Sequence, residues 1–166
     1  MNIIAADFER ETLEFGVEHF SKDSIPRELL EAHHAEVGVL KDVLALEPDW
    51  SEYEILQHKG QLIFVTARSR RDRVAGYALI VLRPHLHYAG AKVAYDDAHY
   101  LAPKYRSQGW GKKLIQYAEK VALAAGAKVF SMRTKAGSSN HGHIFESMGY
   151  QLTDLVYLKD LSNGPA

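Results

Sequence analysis

Between a strand-like apolar run and an amphipathic stretch, the chain places Arg106-Ser107-Gln108-Gly109-Trp110-Gly111-Lys112, the junction that most constrains what the sequence can fold into. From Gly111 onward, Leu114, Ile115, Ala118, Val121, Ala122 and Ala125 recur at helical spacing, and Gly126 is placed to end the helix. A helix N-terminus presents N–H groups without intrahelical partners and a partial positive charge, so it attracts anions. Gly109 and Gly111 allow a ligand close to the backbone, while Arg106 and Lys112 add charge. The expected guest is a phosphate or pyrophosphate. The alternative is an ordinary strand-to-helix turn.

Two better-known phosphate loops fail on these residues. A P-loop needs a glycine five positions before its Gly-Lys pair and a Ser or Thr after it. Arg106 and Lys113 occupy those places. A dinucleotide fingerprint needs a third glycine where Leu114 stands, followed by an acidic residue about 20 positions on. Neither is present on cue.

R-x-x-G-x-G does fit, within Tyr100-Leu101-Ala102-Pro103-Lys104-Tyr105-Arg106-Ser107-Gln108-Gly109-Trp110-Gly111-Lys112-Lys113-Leu114. This segment resembles the acetyl-CoA-binding motif of the GNAT N-acetyltransferase superfamily. Ile144-Phe145-Glu146-Ser147-Met148-Gly149-Tyr150 is similar to the late helix-Gly-aromatic signature of that family, and the resemblance spans residues 60–158. The Pro84-His85-Leu86-His87-Tyr88 stretch and the Tyr157-Leu158-Lys159-Asp160-Leu161 ending also resemble small GNAT proteins of tailed bacteriophages and bacteria.

The whole chain agrees with one domain. Its 166 residues, 46% apolar, suit a single globular unit with a full core, so residues 1–166 are expected to form one GNAT-like domain. No run approaches the roughly 18 apolar residues of a membrane span, and no basic-then-apolar signal opens the chain. A cytoplasmic protein without membrane association is expected. The absence of cysteine excludes disulfides, thiolate zinc sites and a cysteine nucleophile. Acyl transfer must then be direct or use another group. A net charge of -1 gives no electrostatic argument for bulk nucleic-acid binding. Oligomeric state stays open, a homodimer included.

Along the chain, the N-terminal third reads as helical, with a weak strand signal at Ile3 to Ala6. Pro26 suits the first turn of a helix through Leu29, Leu30, His33, Val37 and Leu40. Asp49 or Ser51 caps a second helix ending at Gly60. Leu62 to Ala67 and Val74 to Leu82 read as hairpin strands, and Lys92 to Leu101 as the next. After the loop and its helix come a strand at Lys128 to Thr134, a helix at Asn140 to Met148 and a final strand at Tyr150 to Leu158. Ser162 to Ala166 reads as a frayed tail.

The resemblance implies an α/β fold: a central, mostly antiparallel mixed sheet, flanked by helices and splayed at the cofactor site. The splay is expected between Lys92 to Leu101 and Lys128 to Thr134, leaving backbone groups near Tyr100, Leu101 and Ala102 free for pantetheine. Arg106, Ser107, Gln108, Gly109, Trp110, Gly111 and Lys112 would hold the pyrophosphate, with Trp110 packing at the helix start or lying beside adenine. The implied co-substrate is acetyl-CoA, without a metal, and the implied partner is an amine acceptor.

Acetyl transfer needs a neutral amine, donors for the developing oxyanion and a proton for the departing thiolate. By the resemblance the base lies on the strand before the loop, at Tyr95 or Asp97. Alternation puts Tyr95, Asp97, His99 and Leu101 on one face, with Asp96, Ala98 and Tyr100 on the other. Asp97 is the first candidate base, acting through water, and His99 the second; Tyr95 is expected to face substrate. Where the family often carries a tyrosine in its late helix, this chain has Phe145. Tyr157, Tyr150, Ser147 and His143 lie nearby in sequence, with Tyr157 retained as a catalytic candidate. The family's asparagine falls on Ser138, leaving Asn140 as the cofactor-side candidate.

His85 and His87 share a face as a metal pair would, but no third ligand is evident, so a turn or substrate-pocket wall is the stronger reading. His33 and His34 lie about 100° apart on a helix and do not ligate together. Arg68-Ser69-Arg70-Arg71-Asp72-Arg73 reads as a solvated hairpin tip. Two readings survive: an N-acetyltransferase acting on a primary amine, and a GNAT-fold protein that binds CoA without turnover.

Overall fold

Apolar runs of the middle third form the centre of a five-stranded sheet in the computed structural model, in the order β1-β2-β3-β4-β5. The structure describes residues 12–38, 40–71, 73–135 and 139–161, except for the side chains of 139–141. The strands are β1 (Leu13–Glu18), β2 (Leu62–Ser69), β3 (Val74–Pro84), β4 (Lys92–Leu101) and β5 (Val129–Ser131). β1 to β4 pair antiparallel in sequence order, and β5 adds parallel to β4. Residues of β2 and β3 are buried on both faces, which is why they read as continuous Val/Ile/Leu runs rather than alternating ones.

One face is covered by α3 (Trp110–Ala124), whose Leu114, Ala118 and Ala122 pack with Val65, Ile80, Ala94 and Leu101. The other carries α1 (Arg27–Val37) and α2 (Trp50–His58), over Phe20, Phe64, Tyr77, Leu79 and Tyr100. Pro26 opens α1 as expected, and the Asp49 carboxylate accepts from the Glu52 N–H at 3.1 Å to cap α2. α4 (Ser139–Ser147) follows β5.

The ends of the chain differ from the sequence reading. β1 lies in the stretch read as helical, and alternation of Leu13, Phe15 and Val17 with Glu14, Gly16 and Glu18 explains it. Glu18 fixes its register on β2, accepting from Arg68 Nε and Nη2 at 2.6 and 2.8 Å and from the Thr66 hydroxyl. The expected strand at Tyr150 to Leu158 is absent: residues 150–161 carry no regular structure, and Leu152, Leu155, Val156 and Leu158 are exposed. With no partner strand among the described residues, the segment has no ladder to join. The weak strand signal at Ile3 to Ala6 and the tail Ser162 to Ala166 lie outside the described residues.

Candidate active site

Glycine determines the shape of the loop after β4. The chain leaves β4 through a 3-10 turn, Pro103–Tyr105, buries Tyr105, and enters α3 with Gly109 at φ 80° as N-cap. Ser107 takes φ 61°, a left-handed conformation. The first bond into α3 runs from the Lys113 N–H to the Gly109 carbonyl at 3.1 Å, so the N–H groups of Trp110, Gly111 and Lys112 precede the helical ladder. A Cβ built on Gly109 or Gly111 would meet nothing within 4 Å, so the space before these donors is open. Ser107, Gln108 and Lys112 are exposed around it. This set of donors suits a pyrophosphate.

Two loop side chains point elsewhere. Arg106 binds Glu36 of α1 in a two-pronged pair at 2.7 and 2.8 Å, gives its Nε–H to the Leu101 carbonyl at 2.8 Å and covers the Tyr100 ring. Its guanidinium therefore fastens the loop to α1. Trp110 packs on Phe15 of β1 and is covered by Lys113, as expected of a residue at a helix start.

β4 is open on one side beside this loop. β5 pairs with Val93, Ala94 and Tyr95, so from Asp96 to Leu101 the strand has no neighbour on that edge among the described residues. Ala102 donates to the Ala75 carbonyl at 2.8 Å, and antiparallel alternation gives Tyr100 the same direction, towards β3. The backbone groups of His99 and Leu101 consequently face the open edge. Of Tyr100, Leu101 and Ala102, all expected to offer free groups, only Leu101 does, and only through its N–H because its carbonyl accepts from Arg106; His99 joins it.

A bulge changes the faces. Ala98 pairs with Leu79 and Asp96 with Ile80, leaving Asp97 as the extra residue. Asp97 thereby stays on the helix α2 side, where the Tyr53 hydroxyl donates to its Oδ2 at 2.7 Å. Asp96, His99 and Leu101 lie on the opposite side. The expectation that Asp97 and His99 share a face is corrected, because strict alternation does not survive an inserted residue.

Asp96 was missed as a site residue. It is 3% exposed, and one oxygen lies 2.8 Å from His99 Nδ1 while Oδ1 has no partner among the described residues. Burial opposes a charge on His99, but the hydrogen bond and charge of Asp96 outweigh it and hold the imidazole above its ordinary range. The His99 ring stands against Phe145 of α4, centroids 6.3 Å apart. Tyr53 was also missed; burial first, then the Asp97 charge, push its phenol well up, so it remains a donor.

Across α1, His33 Nδ1 lies 2.6 Å from the Tyr77 hydroxyl, and its ring stacks on Tyr100 at 4.7 Å. Burial, reinforced by the charge of His99, lowers it to about 4, so it is neutral near pH 7.

Other expected residues are not gathered here. His85 and His87 lie in the turn joining β3 to β4, beside Lys92 at the far end of β4 from Leu101, with rings 5.8 Å apart. Among the described residues no metal-binding group of three is present. Tyr95 sits half-buried within the β5-paired portion, before the opening. Tyr157 is 89% exposed and makes no hydrogen bond or ring contact among the described residues. Tyr150 is bonded instead to Glu119 at 2.5 Å, and the exposed His143 to Glu146. The Asn140 side chain and Ser138 lie outside the described residues.

Structures of similar fold combine a sheet of this kind with acetyl transfer. An acetyltransferase from Trypanosoma brucei is 18% identical, with TM-score 0.62, over 90% of this chain and 99% of that one. An aminoglycoside acetyltransferase from an uncultured soil metagenomic sample, in complex with sisomicin, is 15% identical, with TM-score 0.63, over 88% and 97%. AAC(6')-Iy in complex with a bisubstrate analog, CoA-S-monomethyl-acetylneamine, is 15% identical, with TM-score 0.60, over 89% and 97%. No curated protein matches the chain. At these identities the likeness is one of fold. The acetyltransferase (GNAT) family model, however, matches residues 27–150, from the start of α1 through the open edge of β4, the glycine loop and α4. That match covers most of the sequence and every element of the site, and the chain belongs to the GNAT acetyltransferase family.

Proposed function

We propose that the protein transfers acetyl from acetyl-CoA directly to a primary amine. The observation that carries this reading is the adjacency of two sets of backbone donors without a partner among the described residues: the α3 N-terminus behind Gly109, and the open edge of β4 at His99 and Leu101. The first matches a pyrophosphate and the second an extended amide-bearing arm. Bound acetyl-CoA supplies an activated acyl group. With no cysteine in the chain, the route has no cysteinyl-enzyme stage.

The residues divide the work by face. The loop from Ser107 to Lys112 binds phosphate, and the His99 and Leu101 backbones orient the acyl arm. Asp97, exposed and held by Tyr53, takes a proton from the incoming ammonium through water. The acceptor is a small molecule or a protein amine reaching Asp97 from the α2 side. That aminoglycoside acetyltransferases share the fold supports an amine acceptor.

Phe145 favours a second reading, in which CoA is bound without turnover, because it puts a bare ring where the family resemblance implies a tyrosine hydroxyl. Thiol release from acetyl-CoA against a panel of primary amines decides between the two. Release by the wild type, reduced about 100-fold in Asp97→Asn, is expected for an enzyme using this base. No release with any amine, despite acetyl-CoA binding, would establish the second reading.

A further inference from the structure

We infer that His99 is the general acid that protonates the departing thiolate, with Asp96 as its positioning residue. The inference rests on the reading that acetyl-CoA lies along the open edge of β4. His99 is the residue whose backbone faces that edge while its ring stands edge-on to Phe145, centroids 6.3 Å apart, a side chain without a hydroxyl. A donor is thus supplied beside the same site from β4 instead of α4.

The ring has one orientation available for this task. Asp96, almost fully buried, holds Nδ1 at 2.8 Å, and a buried carboxylate with an unpartnered second oxygen has this imidazole as its hydrogen-bonded counter-charge. Nδ1–H is thereby fixed towards Asp96, and Nε2–H is left as the free donor. The side chain is 28% exposed, so a proton can return from solvent. The other groups bearing on the pair are Lys135 after β5, His33 of α1 and Tyr150 after α4. Lys135 opposes the charge on His99, and Asp96 outweighs it.

The step balances without a further reactant. The neutral amine, its ammonium proton already passed through water to Asp97 and on to solvent, forms a bond from nitrogen to the thioester carbonyl carbon and yields a second proton along the same water to Asp97. The C–S bond breaks, its electron pair goes to sulphur, and sulphur takes the Nε2 proton. His99 is left as neutral imidazole with Nδ1–H still on Asp96, and solvent recharges it.

The test uses the full-length protein, acetyl-CoA and the best primary amine from the panel. His99→Gln is expected to lower kcat about 100-fold with acetyl-CoA affinity unchanged by calorimetry. In the wild type, kcat falls as pH rises through the His99 titration, because the acid must be charged; Asp96→Asn moves that fall to lower pH. Independently of turnover, nitrogen NMR should show the His99 Nε2 signal shifting on addition of CoA and much less with desulfo-CoA. Wild-type kcat in His99→Gln, or equal shifts with CoA and desulfo-CoA, overturns the inference while leaving the functional reading intact. A wild type that binds no acetyl-CoA overturns both.

Discussion

Individual side chains of this site have lost their ordinary acid-base behaviour for reasons that can be traced to one or two neighbours. His33 is the clearest case: packed between Tyr77 and Tyr100, it titrates at about 4 because burial penalises its charge. Unfolded, it titrates near ~6.5. Between those values the unfolded chain takes up a proton that the native state refuses. The His33 contribution is therefore full above pH 6.5 and declines on acidification, by up to about 1.4 kcal/mol per pH unit. His99 has the opposite sign, since its raised value stabilises below the unfolded pKa and is lost as pH rises through the folded one. Urea denaturation at pH 7 and pH 5 should show the wild type losing more stability on acidification than His33→Phe. Equal losses would mean that His33 charges in the native state. At this scale the glycines of the loop were legible from sequence, because local spacing defines them, whereas Arg106, read as a cation of the anion site, is paired with Glu36. Asp96 and Tyr53 were not legible. Tyr53 reaches Asp97 across a separation of 44 residues, and Asp96 changes face only through a bulge with no sequence signature.

Among the elements, β4 is both a ladder strand towards β3 and, from Asp96 onward, an open edge on its other side. Gly76 permits the closest approach between the two strands: a Cβ there would lie 2.7 Å from the Tyr100 carbonyl oxygen and 3.2 Å from Leu101 Cα. Both neighbours are backbone, so relief requires the strands to separate. Gly76→Ala is expected to destabilise by about 1–3 kcal/mol and to weaken acetyl-CoA binding by displacing the Leu101 end of the edge. Thermal unfolding equal to wild type would show that β3 and β4 tolerate the extra carbon. Helices and central strands were legible here, since α3 displays its buried stripe and β2 and β3 are continuously apolar. β1 was legible only through a short alternation easily overlooked beside helix-prone neighbours. The segment after Tyr150 shows the reverse, a strand-like composition that finds no partner, because tertiary pairing decides strand formation.

The molecule as a whole places two hydrophobic clusters on opposite faces of one sheet, and the candidate site lies where β5 stops short of the end of β4. Arg106 and Glu36 tie the loop beside that opening to α1. A ligand lying along the edge and the loop engages native structure only, so its binding must raise stability, by about 2.7 kcal/mol at a hundredfold excess over Kd. The central claim is that the Gly109 loop and the β4 edge together form an acetyl-CoA site. Isothermal titration of acetyl-CoA into the wild type and Gly109→Val tests it most directly, because valine both fills the open space and resists φ 80°. Saturable one-to-one binding by the wild type, weakened at least about tenfold in Gly109→Val, is the predicted result, a loss of about 1.4 kcal/mol. Equal affinity in the two proteins, or no heat with either, would contradict the account.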